Sequence, residues 1–223
     1  MKITWRTEFP IWILLAAMFV AAALAWPVAP SQIPVHWGVD GQVDRYGGKF
    51  EGLLLAPLIA LVAYLVLVFA PRLDPARANY EKFAGAYAIL RLAVVAFVAA
   101  LYGLMHAAMR GHSVDMTRMG AILTGAFLAV IGAVVGQVQP NWFVGIRTPW
   151  TLSSKTSWEK THRAASWVLT VGGVLLAAGG VARSTPAIVA AFVALLVGML
   201  GTVAYSYLVW RDAPDRTHPG GTA

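Results

Sequence analysis

The sequence predicts an all-α integral membrane protein with six transmembrane helices and a structured extracytoplasmic loop between helices 1 and 2. The chain is 59% hydrophobic and only 12% of its 223 residues are charged, whereas a soluble domain carries roughly 25%. Six apolar runs are each long enough to cross a hydrocarbon core, which takes about 20 helical residues. None of them alternates like a barrel strand, and a backbone in lipid must satisfy its own hydrogen bonds, so helices follow.

The predicted spans follow these apolar runs in chain order. They lie near residues 9–26, 53–70, 87–108, 119–138, 164–181 and 187–208. The first run follows Lys2 and Arg6 and ends on Ala23, Leu24 and Ala25, which also suits a cleaved signal peptide. We expect a retained helix, because the run is long for a signal peptide and the next residue is a tryptophan that suits an interfacial anchor.

The Lys and Arg residues predict how the chain crosses the membrane. With the N-terminus inside, eleven of the 17 lie on the inner side, five lie on the outer side, and Arg91 falls within the third span. Positively charged loops favour the cytoplasm, so both termini are predicted there. The net charge of +7 is then explained by loops facing anionic lipid headgroups, and no direct nucleic-acid binding is expected.

The outer loop, residues 27–52, carries the first motif. Its prolines favour an extended start, and the turn signals Asp40-Gly41 and Gly47-Gly48 predict a hairpin on the membrane face. Three possible metal ligands, His36, Asp40 and Asp44, match no metal-ligand spacing, so we predict no metal and expect these residues to bond one another. The motif comprises Pro34, His36, Trp37, Gly41, Asp44, Gly47 and Lys49.

The inner loop, residues 139–165, carries the second and more unusual motif. It combines tryptophans, turn residues and charged residues between two apolar runs: Asn141, Trp142, Gly145, Arg147, Thr148, Pro149, Trp150, Trp158, Thr161, His162 and Arg163. Two interpretations stay open. The tryptophans, with Trp167, suit a membrane-interface anchor, whereas Asn141, Arg147 and His162 favour a specific polar network or partner site.

Local patterns predict how the fifth span begins. Thr156 and Glu159 have the spacing of a capping box, in which each side chain satisfies a free amide at the start of a helix. Glu159 and Arg163 lie four residues apart and are predicted to pair on the helix surface. The inner motif is therefore expected to run from a loop into the fifth span.

The sequence offers little for catalysis or transport. It has no Cys, it matches no common catalytic or phosphate-binding motif, and no cofactor is predicted. The predicted spans hold no Asp or Glu, and Arg91 is expected to reach outward to the interface. The alternative to a non-enzymatic protein is a small transporter or membrane-embedded enzyme that uses the pocket between Asn141 and Arg163. That hypothesis requires a polar cavity lined by Arg147, His162 and Gln137.

Both motifs resemble known regions of bacterial proteins. Residues 141–152, Trp158 and residues 161–163 resemble the hallmark of the SdpI family of membrane immunity proteins. Residues 33–37 and 41–49 resemble a small N-terminal domain of unknown function that is often fused to this family, with Gly38 where relatives commonly have Asn. The resemblance covers nearly the whole chain. It implies an N-terminal two-helix unit, residues 1–70, and a four-helix SdpI-like unit, residues 71–223.

The resemblance implies a function that composition and spacing do not. The expected protein lies in the lipid bilayer of the bacterial cytoplasmic membrane and gives resistance to a secreted, membrane-active peptide toxin without acting as an enzyme. Toxin recognition is expected on the outer side. The family's namesake also captures a cytoplasmic transcriptional repressor at the membrane, and the inner loop, residues 139–165, is where such signalling is expected here.

Overall fold

A computed structural model describes residues 4–38 and 40–217, so Lys2 and its part in the predicted orientation lie outside the described residues. Within this part of the chain, six helices are long and apolar enough to cross a membrane. The predicted all-α membrane fold with six spans and a structured loop between helices 1 and 2 is confirmed.

The elements follow one another with short connections. The long helices are α1 (Trp5–Ala25), α2 (Leu55–Leu73), α3 (Ala84–Met109), α4 (Met116–Val135), α6 (Lys155–Val181) and α7 (Thr185–Arg211), and α5 (Pro149–Leu152) is a single turn. The strands β1 (Ile33–Trp37) and β2 (Val43–Gly47) lie between α1 and α2. A π-helical turn, Phe50–Leu54, leads into α2, and a 3-10 helix, Arg77–Phe83, leads into α3.

The bundle has two ends with different connections. At one end, which we call the terminal side, the C-terminal segment lies against the α4–α6 connection, and the amide of Thr217 donates to the Ser153 carbonyl at 3.0 Å. At the other end, the hairpin side, Gly41 at the tip of the β1–β2 hairpin lies against Thr117 at the start of α4. The cytoplasmic placement of the terminal side stays a prediction, as does the division of the chain at residue 70.

Two groups of three helices form the core. One cluster packs α1, α2 and α3 together through residues that include Ile11, Tyr64 and Val95. The other three helices approach more closely, because a Cβ on Gly125 of α4 would come within 2.5 Å of the Gly173 carbonyl oxygen of α6. Small residues at such positions let membrane helices pack backbone against backbone.

The interior of the first group contains a buried ion pair that corrects two sequence-based predictions. The α1 helix begins at Trp5, earlier than predicted, and so brings Glu8 into the bundle. Arg91 does not reach the interface: it is 2% exposed, Glu8 is 0% exposed, and Arg91 Nη2 donates to Glu8 Oε1 at 2.5 Å. Tyr64 donates its hydroxyl to Glu8 Oε2 at 3.0 Å, which links α2 to the pair.

The hairpin is held by polar contacts within itself and to the helix ends. Its antiparallel strands place Ile33 opposite Gly47, with register shifts between Pro34 and Trp37. His36 Nδ1 and Asp44 Oδ1 are hydrogen-bonded at 2.6 Å, and Lys49 Nζ donates to the Trp26 carbonyl at 2.8 Å. No cluster of three or more possible metal ligands occurs among the described residues.

Candidate functional site: the motif loop

The connection between α4 and α6, residues 136–154, carries most of the inner motif, and we call it the motif loop. The α4 helix ends at Val135, before the predicted boundary, so the Val138 carbonyl is free to accept a hydrogen bond from Trp158 Nε1 at 2.7 Å. Trp158 is 0% exposed. It is therefore a core residue that fixes the loop on α6, and of the two interpretations left open by the sequence, the interfacial anchor does not apply to this tryptophan.

Asn141 shapes the first turn of the motif loop from a buried position. Its Oδ1 accepts hydrogen bonds from the amides of Phe143 at 2.9 Å and Val144 at 2.7 Å. Its Nδ2 donates to the carbonyls of Gln139 and Val144, both at 2.9 Å. An Asn side chain that replaces backbone partners in this way is typical of a tight turn. Asn141 is thus committed to the shape of the loop.

The α2–α3 connection stabilises this turn by hydrogen bonds. The residues that make them had no predicted role. Asp74 is buried, and its Oδ2 accepts from the Trp142 amide at 2.9 Å and the Tyr80 hydroxyl at 2.8 Å. Asn79 Nδ2 donates to the Pro140 carbonyl at 2.8 Å. In the sequence, Asp74 stands alone between an apolar run and Pro75. That pattern predicts a turn, but it does not identify Trp142, 68 residues away, as the hydrogen-bond partner.

His162 and Gly145 fit together at the centre of the motif. His162 is fully buried and stacks on the ring of Trp158, with 4.1 Å between the ring centroids. Its Nε2 accepts from the Ile146 amide at 3.0 Å, so Nδ1 carries the proton and donates to the Trp158 carbonyl at 2.8 Å. Gly145 has φ +113°, and a Cβ there would lie 2.3 Å from His162 Nε2. Glycine is required for both reasons.

The second half of the loop is tied to α7. Thr148 caps α5 by a capping box with Thr151, and Pro149 occupies the first turn. The hydroxyls of Thr148 and Ser206 of α7 are hydrogen-bonded at 3.0 Å. The ring of Trp150 meets the ring of Tyr207 edge to face, with 5.2 Å between centroids.

The start of α6 differs from the predicted one. The helix begins at Lys155, and the Ser154 side chain caps it by accepting from the Ser157 amide at 3.0 Å. The predicted capping box at Thr156 and Glu159 is therefore wrong. Glu159 pairs instead with Lys155 at 3.6 Å, because the earlier helix start places a lysine within reach.

The remaining motif residues divide by exposure. Trp142 is 55% exposed, and Arg147, which donates to the Trp142 carbonyl, and Arg163 are exposed as well. Thr161 is buried, and its hydroxyl has no hydrogen-bond partner among the described residues. The structure thus brings the buried members other than Thr161 into one network and leaves Trp142, Arg147 and Arg163 on the surface.

The cavity beside the motif loop is apolar. It measures about 220 Å³ and lies between α3, α4, α6 and the loop, with a lining that includes Leu90, Val138 and Met199. Gln137 is exposed and donates to the carbonyl of Ala133. His162 is fully buried with both ring nitrogens bonded to the backbone, whereas Arg147 and Gln137 are exposed, so these three side chains do not line the cavity described above.

The C-terminal segment completes the terminal side by docking on α6. Asp215 accepts from the Ser154 hydroxyl at 2.8 Å and from the Thr156 amide at 3.0 Å. Partial burial raises the pKa of Asp215, but the hydrogen bonds from Thr156 and Ser154 outweigh it and hold the pKa below its ordinary value. A carboxylate at the start of a helix also benefits from the helix dipole.

Acidification should release this C-terminal segment. Because the pKa of Asp215 is lowered in the folded protein, docking is favoured above the ordinary value of 3.8 and is lost as the pH falls through the lowered pKa. The chain has no Cys, so a spin label on a Pro214→Cys variant reports this segment alone, and its mobility should rise on acidification. The same label on a chain that also carries Asp215→Asn should show no such dependence. A wild-type segment that stays immobile through the whole carboxyl range would contradict this.

Comparison with known proteins identifies the region that contains this network. Residues 137–206, which cover the motif loop, α5, α6 and most of α7, match the model of the SdpI/YfhL protein family. Residues 13–61 match a domain of unknown function, DUF1648, which contains the hairpin. Both resemblances seen in the sequence are confirmed.

A curated relative extends the comparison. Over 165 residues, the chain is 24% identical to the immunity protein SdpI of Bacillus subtilis (strain 168). The aligned region covers 74% of this chain and 77% of the relative. No solved structure matches the chain.

Proposed function

We propose that this protein is a non-enzymatic membrane immunity protein that protects a bacterial cell against a secreted, membrane-active peptide toxin. The observation that carries the proposal is the similarity to an immunity protein over 74% of the chain. The two family regions also occur in order on a six-span frame. The immunity role belongs to the relative, and its transfer to this chain is our inference.

The geometry of the motif loop favours recognition over catalysis. Both ring nitrogens of His162 are occupied by backbone partners, and Asn141 uses its amide oxygen and nitrogen in four hydrogen bonds to the backbone. A general base needs a free nitrogen within reach of a substrate proton. These side chains instead build a rigid surface that presents Trp142 and its exposed neighbours.

A survival assay tests the proposal. A sensitive bacterial host that makes this protein should keep growing when it is exposed to membrane-active peptides purified from the medium of bacteria that carry the gene. Hosts that make an unrelated six-span protein at the same level should be killed. Equal killing of both hosts by every peptide tested would contradict the proposed role.

We infer that both termini face the cytoplasm and that the toxin is met on the hairpin side. The support is the excess of Lys and Arg on the terminal side. Because the chain has no Cys, the variants Gln42→Cys and Pro214→Cys each give a single labelling site. An impermeant maleimide should label Gln42→Cys in intact cells and Pro214→Cys only after lysis. The reverse pattern would place the hairpin in the cytoplasm.

A second part of the proposal concerns signalling. The terminal side presents exposed aromatic and basic side chains of the motif loop and α6: Trp142, Phe143, Arg147, Lys160 and Arg163. We infer that this surface binds a cytoplasmic transcriptional repressor, as the relationship to the SdpI family suggests. A fluorescent repressor encoded beside the gene should move from the nucleoid to the membrane during toxin challenge. A Lys160→Ala/Arg163→Ala variant, which leaves the buried network intact, should abolish this movement. A repressor that stays on the nucleoid in wild-type cells would contradict the signalling role.

A further inference from the structure

A polar groove on the hairpin side joins the two family regions. It has a volume of about 370 Å³ and is lined by the hairpin tip, the start of α4 and the α6–α7 turn. Gly41 brings the hairpin against α4: its φ is +79°, and a Cβ there would lie 3.2 Å from the Thr117 hydroxyl. The DUF1648 region, residues 13–61, thus supplies one wall of a groove whose opposite wall belongs to residues 137–206.

Charges of both signs line this groove. Asp40 and Asp115 provide carboxylates, and Arg118 and Arg183 provide guanidinium groups. Asp115 caps α4 through the Arg118 amide, and Arg118 Nε donates to the Gly180 carbonyl at 3.2 Å. Among residues 4–38 and 40–217, no hydrogen bond or ion pair engages the exposed Arg183 guanidinium. Arg183 and Asp40 are therefore the groups most available to a ligand.

An exposed apolar face of α7 continues from the polar groove. Thr185 borders that groove and begins this face, which otherwise presents Pro186, Val189, Ala190, Val193, Ala194 and Val197. From Thr185 to Val197 a helix rises about 18 Å, which is close to half of the roughly 30 Å hydrocarbon core. That half is the depth that the acyl chains of one lipid occupy.

We propose that the polar groove and this face of α7 together bind one phospholipid whose headgroup carries a phosphate and a primary ammonium, as in phosphatidylethanolamine. The phosphate accepts hydrogen bonds from Arg183, and the ammonium donates to Asp40, so both charges are met. An acyl chain lies along the apolar face of α7. This site gives the hairpin a definite role, because the DUF1648 region provides the carboxylate that distinguishes this headgroup from a purely anionic one.

A competition between lipids tests this site directly. The full chain is placed in bilayers that contain equal amounts of phosphatidylethanolamine and phosphatidylcholine, whose trimethylated nitrogen cannot donate a hydrogen bond. Native mass spectrometry then counts the lipids that stay bound. We expect phosphatidylethanolamine to be retained about tenfold more than phosphatidylcholine, as the loss of a charge-assisted hydrogen bond implies.

Matched variants separate this site from general lipid contact. Asp40→Asn, which keeps the acceptor for the Gln42 amide, should remove the preference. Arg183→Gln removes the contact to the phosphate that both lipids carry, so it should reduce retention of both. Arg110→Gln, an exposed arginine at the end of α3 on the same side, should leave retention and preference unchanged. Ala190→Phe places a ring in the path of the acyl chain and should reduce retention of both lipids, whereas Val62→Phe on the exposed face of α2 should not.

Four results would overturn the proposal. The first is equal retention of the two lipids by the wild-type protein. The second is a preference that survives Asp40→Asn, or retention of both lipids that Arg183→Gln leaves unchanged. The third is displacement of the lipid by soluble phosphoethanolamine at the same concentration, which would show that the apolar face of α7 contributes nothing. The fourth is loss of protection against a peptide in these variants with lipid retention unchanged, which would assign the groove to the peptide instead.

Discussion

Replacing Glu8 by Gln should lower the free energy of unfolding by about 3–5 kcal/mol. Glu8 and Arg91 are 0% and 2% exposed, so the substitution leaves a guanidinium buried without its counterion. Arg91 is already poorly satisfied, because its Nε and Nη1 have no hydrogen-bond partner among the described residues. The measurement is unfolding of the purified protein in mixed micelles of increasing SDS content, followed by circular dichroism.

Two further variants define the origin of this effect. A Glu8→Gln/Arg91→Gln chain buries no charge and should recover part of the lost stability. Glu159→Gln removes an exposed carboxylate whose lysine partner lies one helical turn away, and it should cost less than about 1 kcal/mol. A Glu8→Gln chain as stable as Glu159→Gln would show that the pair contributes nothing. The pair also bears on whether the first span is retained. Cleavage of α1 would remove Glu8 and leave the Arg91 guanidinium without its carboxylate partner. We therefore still predict that this span is retained.

Asn141→Ala should lower the free energy of unfolding by about 2–4 kcal/mol, since it leaves several backbone groups of the loop without partners and each buried one costs about 1–3 kcal/mol. The amides of Phe143 and Val144 lose their acceptor, and two carbonyls lose their donor. Asn141→Asp keeps the acceptor but not the donors, so its loss should be smaller. Thermal unfolding in detergent, together with the folded yield, measures both.

The matched control for Asn141 is Arg163→Ala. Arg163 belongs to the same motif but is exposed, so its removal should change stability by less than about 0.5 kcal/mol. If Asn141→Ala unfolds at the wild-type temperature and loses only protective activity, the buried network serves a partner and not the shape of the loop.

The spans and the hairpin could be predicted because their causes are local. A long apolar run must be helical in lipid wherever it occurs, and turn residues such as Gly41 mark a hairpin without reference to the rest of the chain. The bundle's interior could not be predicted this way. Glu8 and Arg91 are 83 residues apart, and the helix start that buries Glu8 differs from the predicted one by about one turn.

The candidate site shows the same limit. The sequence singled out Asn141, Gly145 and His162 as unusual for a loop, but it left open whether they hold the loop or bind a partner. The hydrogen bonds of Asn141 and His162, and the close fit of Gly145 against His162, stabilise the loop. Asp74 escaped notice because an acidic residue at the end of a span is ordinary, and its role depends on a distant loop. For Trp158 the sequence left both interpretations open, an anchor and a network residue, because its position on α6 depends on where that helix begins.

The membrane potential of a challenged cell tests the proposed immunity most directly. Sensitive cells carrying a voltage-sensitive dye are exposed to a secreted peptide that depolarises them, with and without this protein in their membrane. We expect cells that make the protein to keep their potential at peptide doses that depolarise the others. Depolarisation at the same rate and the same dose in both, with the protein shown to be folded and inserted, would contradict the account.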